Sequence, residues 1–233
     1  MDITLKSRIH GYYTFRVHVR YPPRNDGMCQ YCGRTRIARI ARVQCPVNAF
    51  ALLQDVPSAI EQIQTVAVLS GQDMCQFVVG LTCLGKFFAL FNGINASFLR
   101  TIDTAVKRIE RHATLFEKLQ AFNDIQLTED IWNLCRPVLV DLQSTRDIPH
   151  ALHAQMRGLR NHVWFSVASP VAIRDIYDRV HALACRFIER RITLVVAKEH
   201  LHTYVKCRYI LEVEAASQKL RSAEQRQLHT VIP

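Results

Sequence analysis

The sequence lacks the features of a secreted, disulfide-linked or disordered chain. Gly and Pro number only eight each among 233 residues, and hydrophobic residues make up 49%, which excludes a low-complexity composition. Eight cysteines in a chain of this length are too sparse for a disulfide scaffold. Residues 1–10 are polar and charged, with no apolar segment after them, so no secretory signal is expected. We therefore expect an intracellular protein, cytoplasmic or nuclear, in a reducing compartment.

Long apolar runs and common catalytic motifs are also missing. The most apolar segment, residues 74–91, contains Gln76 and Lys86 and is shorter than the roughly 20 clean residues of a membrane span. We interpret residues 72–91 as a buried core helix and expect no membrane span. There is no Gly-rich phosphate loop, no nucleophile elbow and no His-Glu-x-x-His motif. The sequence thus favours a binding protein over an enzyme, without deciding between them.

Positive charge is concentrated in the first 45 residues. The formal net charge is +10, and residues 1–45 contain nine Lys or Arg against two Asp, which leaves +7 there and +3 elsewhere. Such a segment favours an anionic partner, most simply RNA or DNA. The alternative is a basic face that contacts an acidic protein. The arginines predicted to bind nucleic acid are Arg16, Arg20, Arg34, Arg36, Arg39 and Arg42.

The N-terminal segment has the pattern of a β-strand. Apolar residues from Tyr13 to Tyr21 alternate with polar ones, which predicts a strand with one apolar face and one basic face. Two prolines follow and end it. We therefore predict a first domain over residues 1–46, a small basic β element that resembles a zinc knuckle.

Helical spacing dominates after Pro46. Ser169-Pro170 is a strong helix start, and helical periodicity runs from there to about Gln227, as one very long helix or as two with a bend. The predicted fold class is mainly α, a helical bundle over residues 47–233 with a long C-terminal helix. The end of that helix is rich in Ala, Gln, Glu, Lys and Arg, so we expect it to dock protein partners.

Three cysteines near the strand have metal-ligand spacing. The pattern is Cys29-x2-Cys32-x12-Cys45, and Gly33 follows the pair, as in a zinc knuckle where two thiolates reach one ion across a tight turn. Structural zinc requires a fourth ligand, for which His18 is the first choice and His10 the second. A buried thiol pair without metal and a redox-active pair are the alternatives.

A local motif begins at Arg157, which four residues separate from His162. Together with the Ser-Pro helix start that follows, residues 157–189 resemble the HEPN class of helical-bundle ribonucleases. The resemblance implies that His162 acts as general acid or base on the ribose 2′-hydroxyl. Arg157 would stabilise the phosphate charge without a metal. The alternative is a polar loop in which His162 caps the turn before Trp164 and Phe165.

These features together predict a nucleic-acid-associated binding or assembly protein, with RNA as the expected ligand. The N-terminal element would be the contact surface and the helices the body, within a larger nucleoprotein or viral complex. Two alternatives remain open. One is a metal-independent ribonuclease of the HEPN type. The other is a structural interaction subunit whose basic arm docks on an acidic protein.

Overall fold

The structure is a computed structural model that describes residues 1–7, 11–22, 27–141 and 161–232. The strands within these ranges are β1 (Asp2–Ser7), β2 (Gly11–Arg20), β3 (Ile40–Pro46), β4 (Met74–Gly80) and β5 (Leu228–Ile232). The α-helices are α1 (Ser58–Leu69), α2 (Leu84–Phe88), α3 (Ala96–Gln120), α4 (Asp124–Asp141), α5 (Pro170–Ile188) and α6 (Leu194–Glu224). Short 3-10 turns occupy Val47–Leu52, Leu81–Cys83 and Val163–Ser166. The predictions of a mainly helical chain, a long C-terminal helix and a small N-terminal sheet are confirmed.

Two compact units divide the chain. Unit 1 comprises Met1–Arg111 with Leu220–Pro233, and unit 2 comprises His112–Lys219. The boundary expected at residue 46 lies inside unit 1, because strands from both sides of it pair in one sheet. Sequence periodicity marks where strand pattern gives way to helix pattern, but it does not show which distant segments pair.

A single five-stranded sheet organises unit 1, with the strand order β4-β3-β2-β1-β5. The first four strands pair antiparallel with their neighbours, whereas β5 pairs parallel with β1. Alternation along β2 follows the expected pattern, with Tyr13, Phe15 and Val17 buried and the residues between them exposed. One face of the sheet therefore packs on the core, and the other face is open along β2.

Phenylalanine side chains form the core beneath the sheet. The ring of Phe15 lies 5.3 Å from that of Phe88 and 5.0 Å from that of Phe91, both edge to face. Phe77 of β4 lies 5.3 Å from Phe87 of α2. Burying each of these rings contributes about 1.5–3 kcal/mol. The short helix α2 is thus held by the aromatic residues that it places against β2 and β4.

The prediction of a core helix over residues 72–91 is wrong. Residues 74–80 form β4, in which Cys75, Phe77 and Val79 are buried on the core side. Strand β3 is the antiparallel partner of the whole segment. An apolar run of this kind is compatible with a helix or a strand, and the pairing with β3 favours the strand. Within the described ranges, none of the helices is long and apolar enough to cross a membrane.

Unit 2 is helical and has its own core. Buried residues of α4, α5 and α6 belong to one hydrophobic core with Trp164, which is fully buried. Ser169 caps α5 as expected, since its hydroxyl accepts a hydrogen bond from the Ala172 N–H at 3.2 Å. Helix α5 ends at Ile188, and Arg190 has a φ of 55° before α6 begins. The long C-terminal helical segment is therefore two helices.

Candidate metal centre and basic sheet face

A tight turn holds the first two cysteines together. The N–H of Gly33 donates to the carbonyl of Cys29 at 2.8 Å, and the N–H of Cys29 donates to the carbonyl of Arg34 at 2.9 Å. Gly33 has a φ of +71°, in the left-handed region that favours glycine. The Cys-x-x-Cys-Gly pattern thus specifies a turn that brings both cysteine side chains to one place.

The turn is anchored to the edge of the sheet through Gln30. Its backbone N–H donates to the carbonyl of Val78 at 2.8 Å, and its side-chain oxygen accepts from the Val78 N–H. These bonds satisfy backbone groups of β4, the strand at one end of the sheet order. Gly80 also lies close, because a Cβ there would stand 3.7 Å from the Cys29 sulfur. The turn is thereby fixed beside the end of β4.

The third sulfur comes from Cys83, just after β4. The sulfur atoms of Cys29, Cys32 and Cys83 all lie within 4.8 Å of one another, and we call them the cysteine cluster. The sulfurs of Cys83 and Cys32 are 3.8 Å apart. A tetrahedral zinc ion with Zn–S bonds of about 2.3 Å requires sulfurs about 3.8 Å apart. The cluster could therefore hold a metal ion.

Protonation differs among the cluster's thiols. The backbone N–H of Arg34 donates to the Cys32 sulfur and holds the pKa of that thiol below its ordinary value. Burial raises the pKa of Cys83 to about 11, so its thiol stays protonated and donates to Cys32. A divalent cation in the cluster would reverse this preference and favour thiolates throughout.

An open cavity of about 280 Å³ adjoins the cluster. Cys32 and Cys83 line this cavity together with Glu110 of α3. Its other charged lining residues are Arg34, Arg36 and Arg39. Across the described ranges, no fourth Cys or His joins the group of sulfurs. A metal there would be held by three protein thiolates, two of which line the adjoining, mostly basic cavity.

Two of the predicted ligands lie elsewhere. Cys45 is buried in β3, directly opposite Cys75 of β4, and burial raises the pKa of both thiols. His18 lies on the exposed face of β2, opposite Arg42 of β3. The structure does not bring either residue to the cysteine cluster. His10, the second choice, lies outside the described residues.

Cys83 is the residue that sequence reasoning missed. It lies within residues 72–91, and the interpretation of that segment as a core helix gives no reason to place it beside Cys29 and Cys32. Glycines at positions 80 and 85 flank it, a signal for a change of chain direction. Those glycines and the alternation of Cys75, Phe77 and Val79 could have indicated a strand followed by a turn.

The predicted arginines fall into two groups. Arg34, Arg36 and Arg39 line the cavity beside the cysteine cluster. The other three, Arg16, Arg20 and Arg42, lie on strands β2 and β3 at positions that point away from the core. One prediction from charge alone thus becomes two groups of basic residues, both within unit 1.

The open face of β2 to β4 can be described by its register, and we call it the sheet face. Arg16 lies opposite Gln44, which lies opposite Gln76. In the next row along the strands, His18 lies opposite Arg42. These three strands contain no Asp or Glu. The sheet face therefore has several cations and no carboxylate of its own.

His162 has a structural role in the turn before Trp164. Its Nδ1 accepts a hydrogen bond from the Trp164 N–H at 3.2 Å, and its Nε2 lies 3.6 Å from a carboxylate oxygen of Asp130. Its ring also packs edge to face against Phe165 at 6.4 Å. Arg157, the other residue of the HEPN-like motif, lies outside the described residues. The predicted capping contact is thus present, while the ribonuclease alternative stays a prediction.

Comparison with known proteins adds no further identification. No family model, no curated protein and no solved structure matches the chain. The class that the fold and site define is a mainly helical protein with a three-cysteine cluster and a five-stranded sheet, in which the C-terminal β5 joins four strands from the N-terminal part of the chain.

Proposed function

We propose that the protein binds RNA through the sheet face, as a binding or assembly subunit of a nucleoprotein complex. The observation that carries this proposal is the register of β2 and β3, which places the exposed Arg16, His18 and Arg20 and the half-buried Arg42 on one face of the sheet. Guanidinium groups pair with phosphate through two parallel hydrogen bonds and also stack on bases. A surface of this composition favours a polyanion over an uncharged ligand.

The spacing of the cations suits an extended ligand. Arg16, His18 and Arg20 are two residues apart along β2, so they recur at about 6.6 Å with the usual rise of a strand. Arg42 stands beside His18 on the neighbouring strand. A chain of phosphates that follows β2 would meet Arg16 and Arg20 as cations, with the imidazole of His18 between them as a hydrogen-bonding group. A compact anion would use only one of them.

The second part of the proposal is that the cysteine cluster binds zinc and stabilises this end of the sheet. Three thiolates at the observed separations suit zinc better than magnesium or calcium, which prefer oxygen ligands. The ion would join the turn at Cys29 and Cys32 to the segment after β4. Its fourth position would be completed by water or by Glu110, which lines the same cavity.

Salt dependence of RNA binding tests the first part. Replacing Arg16, Arg20 and Arg42 together with Ala should weaken binding of a labelled single-stranded RNA. The slope of log affinity against log salt should flatten by about 2 units, near 0.7 for each lost phosphate contact. Fluorescence anisotropy over a range of salt concentrations gives both quantities.

The matched control removes the same charge from another surface. Arg100, Arg108 and Arg111 are exposed on α3, and changing them together to Ala also lowers the net charge by three. We expect this control to keep the slope of the unmodified protein. Equal slopes for both triple variants, or no RNA binding by the unmodified protein, would overturn the proposal.

A further inference from the structure

The sheet face has a groove beside its cations that the proposed function does not use. The groove has a volume of about 600 Å³, within the range of small-molecule sites. Tyr12, Thr14 and Arg16 of β2 form one side, and Met74 and Gln76 of β4 form the other. Gln44 of β3 lies between them. We call this surface the sheet groove.

Strand register explains why polar side chains line the groove. Gln44 lies directly opposite both Arg16 and Gln76, so a charged group and two amides form one row across three strands. In the adjoining row, Pro46 lies opposite Met74 and provides apolar surface. The groove thus combines hydrogen-bonding edges, a flat apolar part and one cation at its border.

Tyr12 provides an aromatic surface at one end of the groove. Its side chain is 68% exposed, which is unusual for an aromatic residue in a strand whose other aromatic residues are buried. The Lys6 ammonium lies 5.1 Å from the ring centre, opposite Tyr12 in the register of β1 and β2. This contact orients the ring and adds a cation beside it. An exposed ring next to positive charge is suited to stack on a nucleobase.

We propose that the sheet groove seats an unpaired nucleobase, so that the protein binds single strands and prefers adenine. This inference rests on the proposed function, since the arginines of the sheet face would hold the adjoining phosphates. Each glutamine amide offers one acceptor and two donors, and a glutamine side chain matches the N6/N7 edge of adenine. Tyr12 stacks on the base while Arg16 meets its phosphate. A base within a duplex is already stacked and paired, so it does not enter the groove.

The test compares labelled 12-nucleotide strands of A, C, G or U with a duplex of the same length. The unmodified protein should bind single strands at least tenfold more tightly than the duplex, with the A strand tightest. Tyr12→Ala should weaken single-strand binding about tenfold or more, because base stacking on an aromatic ring contributes about 1–3 kcal/mol. Tyr12→Phe keeps the ring and should restore binding.

Two further variants separate this inference from the proposed function. Gln44→Ala with Gln76→Ala should reduce the preference for the A strand while leaving the salt slope unchanged. The arginine triple variant should instead flatten the slope for every strand. Equal binding of duplex and single strands, together with unchanged binding by Tyr12→Ala, would overturn the proposal that the groove seats a base. A flattened salt slope of the arginine triple variant would in that case still support RNA binding by the sheet face. If the triple variant also keeps its slope, the proposed function fails and this inference fails with it.

Discussion

Two groups of cysteines lie in the same sheet-containing unit, yet their surroundings differ. In the cysteine cluster, Cys32 is exposed and Cys83 is half-buried, with sulfurs 3.8 Å apart beside a basic cavity. Cys45 and Cys75 are opposite each other in β3 and β4, buried on the core side. Burial raises the pKa of both strand thiols, whereas a backbone N–H lowers that of Cys32. Cys29 of the cluster is buried as well, so it is the exposed Cys32, a candidate metal ligand, whose surroundings differ most from those of the core thiols Cys45 and Cys75.

The largest expected effect is the loss of metal from Cys83→Ser. Removing one of three thiolates should weaken zinc affinity on the order of a hundredfold or more, beyond the effect of altering an outer contact. Purified unmodified protein should contain about one zinc per chain, and the variant nearly none, as measured by elemental analysis. Cys45→Ser is the control and should keep its zinc. A Cys83→Ser variant with full zinc content would contradict the proposal that the cysteine cluster binds zinc through Cys83.

The free energy of unfolding should respond in the opposite order from zinc content, with the core cysteine more sensitive to substitution than the exposed cysteine of the cluster. Cys45→Ser places a hydroxyl in a fully buried position and should lower the free energy of unfolding by about 1–3 kcal/mol. Cys32→Ser alters an exposed side chain. It should change the free energy of unfolding of the metal-free protein by no more than about 0.5 kcal/mol. Urea denaturation after chelation measures both. Equal losses would mean that the turn and the strand pair contribute alike to the fold.

Alkylation rates should separate the thiols chemically. In metal-free protein at pH 8, Cys32 should react first with iodoacetamide, because its lowered pKa gives more thiolate and its side chain is exposed. Cys83, with a pKa raised to about 11, should react more slowly, and Cys45 should resist until the protein unfolds. Peptide mass spectrometry over a time course gives the order. Bound zinc should protect Cys32, and an unprotected Cys32 would contradict its role as a ligand.

A small effect is expected for His162, which lies in unit 2 and away from both cysteine groups in sequence. His162→Ala removes the acceptor that caps the turn at Trp164 and should cost about 1 kcal/mol of unfolding free energy. Zinc content should not change. RNA cleavage that survives a chelator and disappears in this variant, with stability unchanged, would instead favour the HEPN-like alternative.

Much of the fold could be predicted from sequence where a pattern is local. The alternation around Phe15 identified β2, and the Ser169-Pro170 start identified α5, because both signals depend only on neighbouring residues. Strand β4 could not be recognised as easily, since its partner β3 is separated from it by a turn and helix α1. An apolar run of that length is compatible with a helix or a strand until its partner is known.

The cysteine cluster was predictable in part for the same reason. Cys29, Cys32 and Gly33 form a local turn, and their spacing specified it correctly. Cys83 comes 51 residues after Cys32 in the chain. It lies beside the turn because β4 precedes it and Gln30 of the turn bonds to Val78 of β4. Cys45 is closer in sequence, but strand alternation directs it to the core opposite Cys75. Sequence distance was thus a poor guide to the third member of the cysteine cluster.

X-ray absorption at the zinc edge tests the central claim most directly. We expect the unmodified protein to give three sulfur neighbours at about 2.3 Å with one lighter ligand, and Cys45→Ser to give the same spectrum. Cys83→Ser should show fewer sulfur neighbours in any zinc that remains. A sulfur neighbour lost in Cys45→Ser but kept in Cys83→Ser would contradict the assignment of Cys29, Cys32 and Cys83 as the metal ligands.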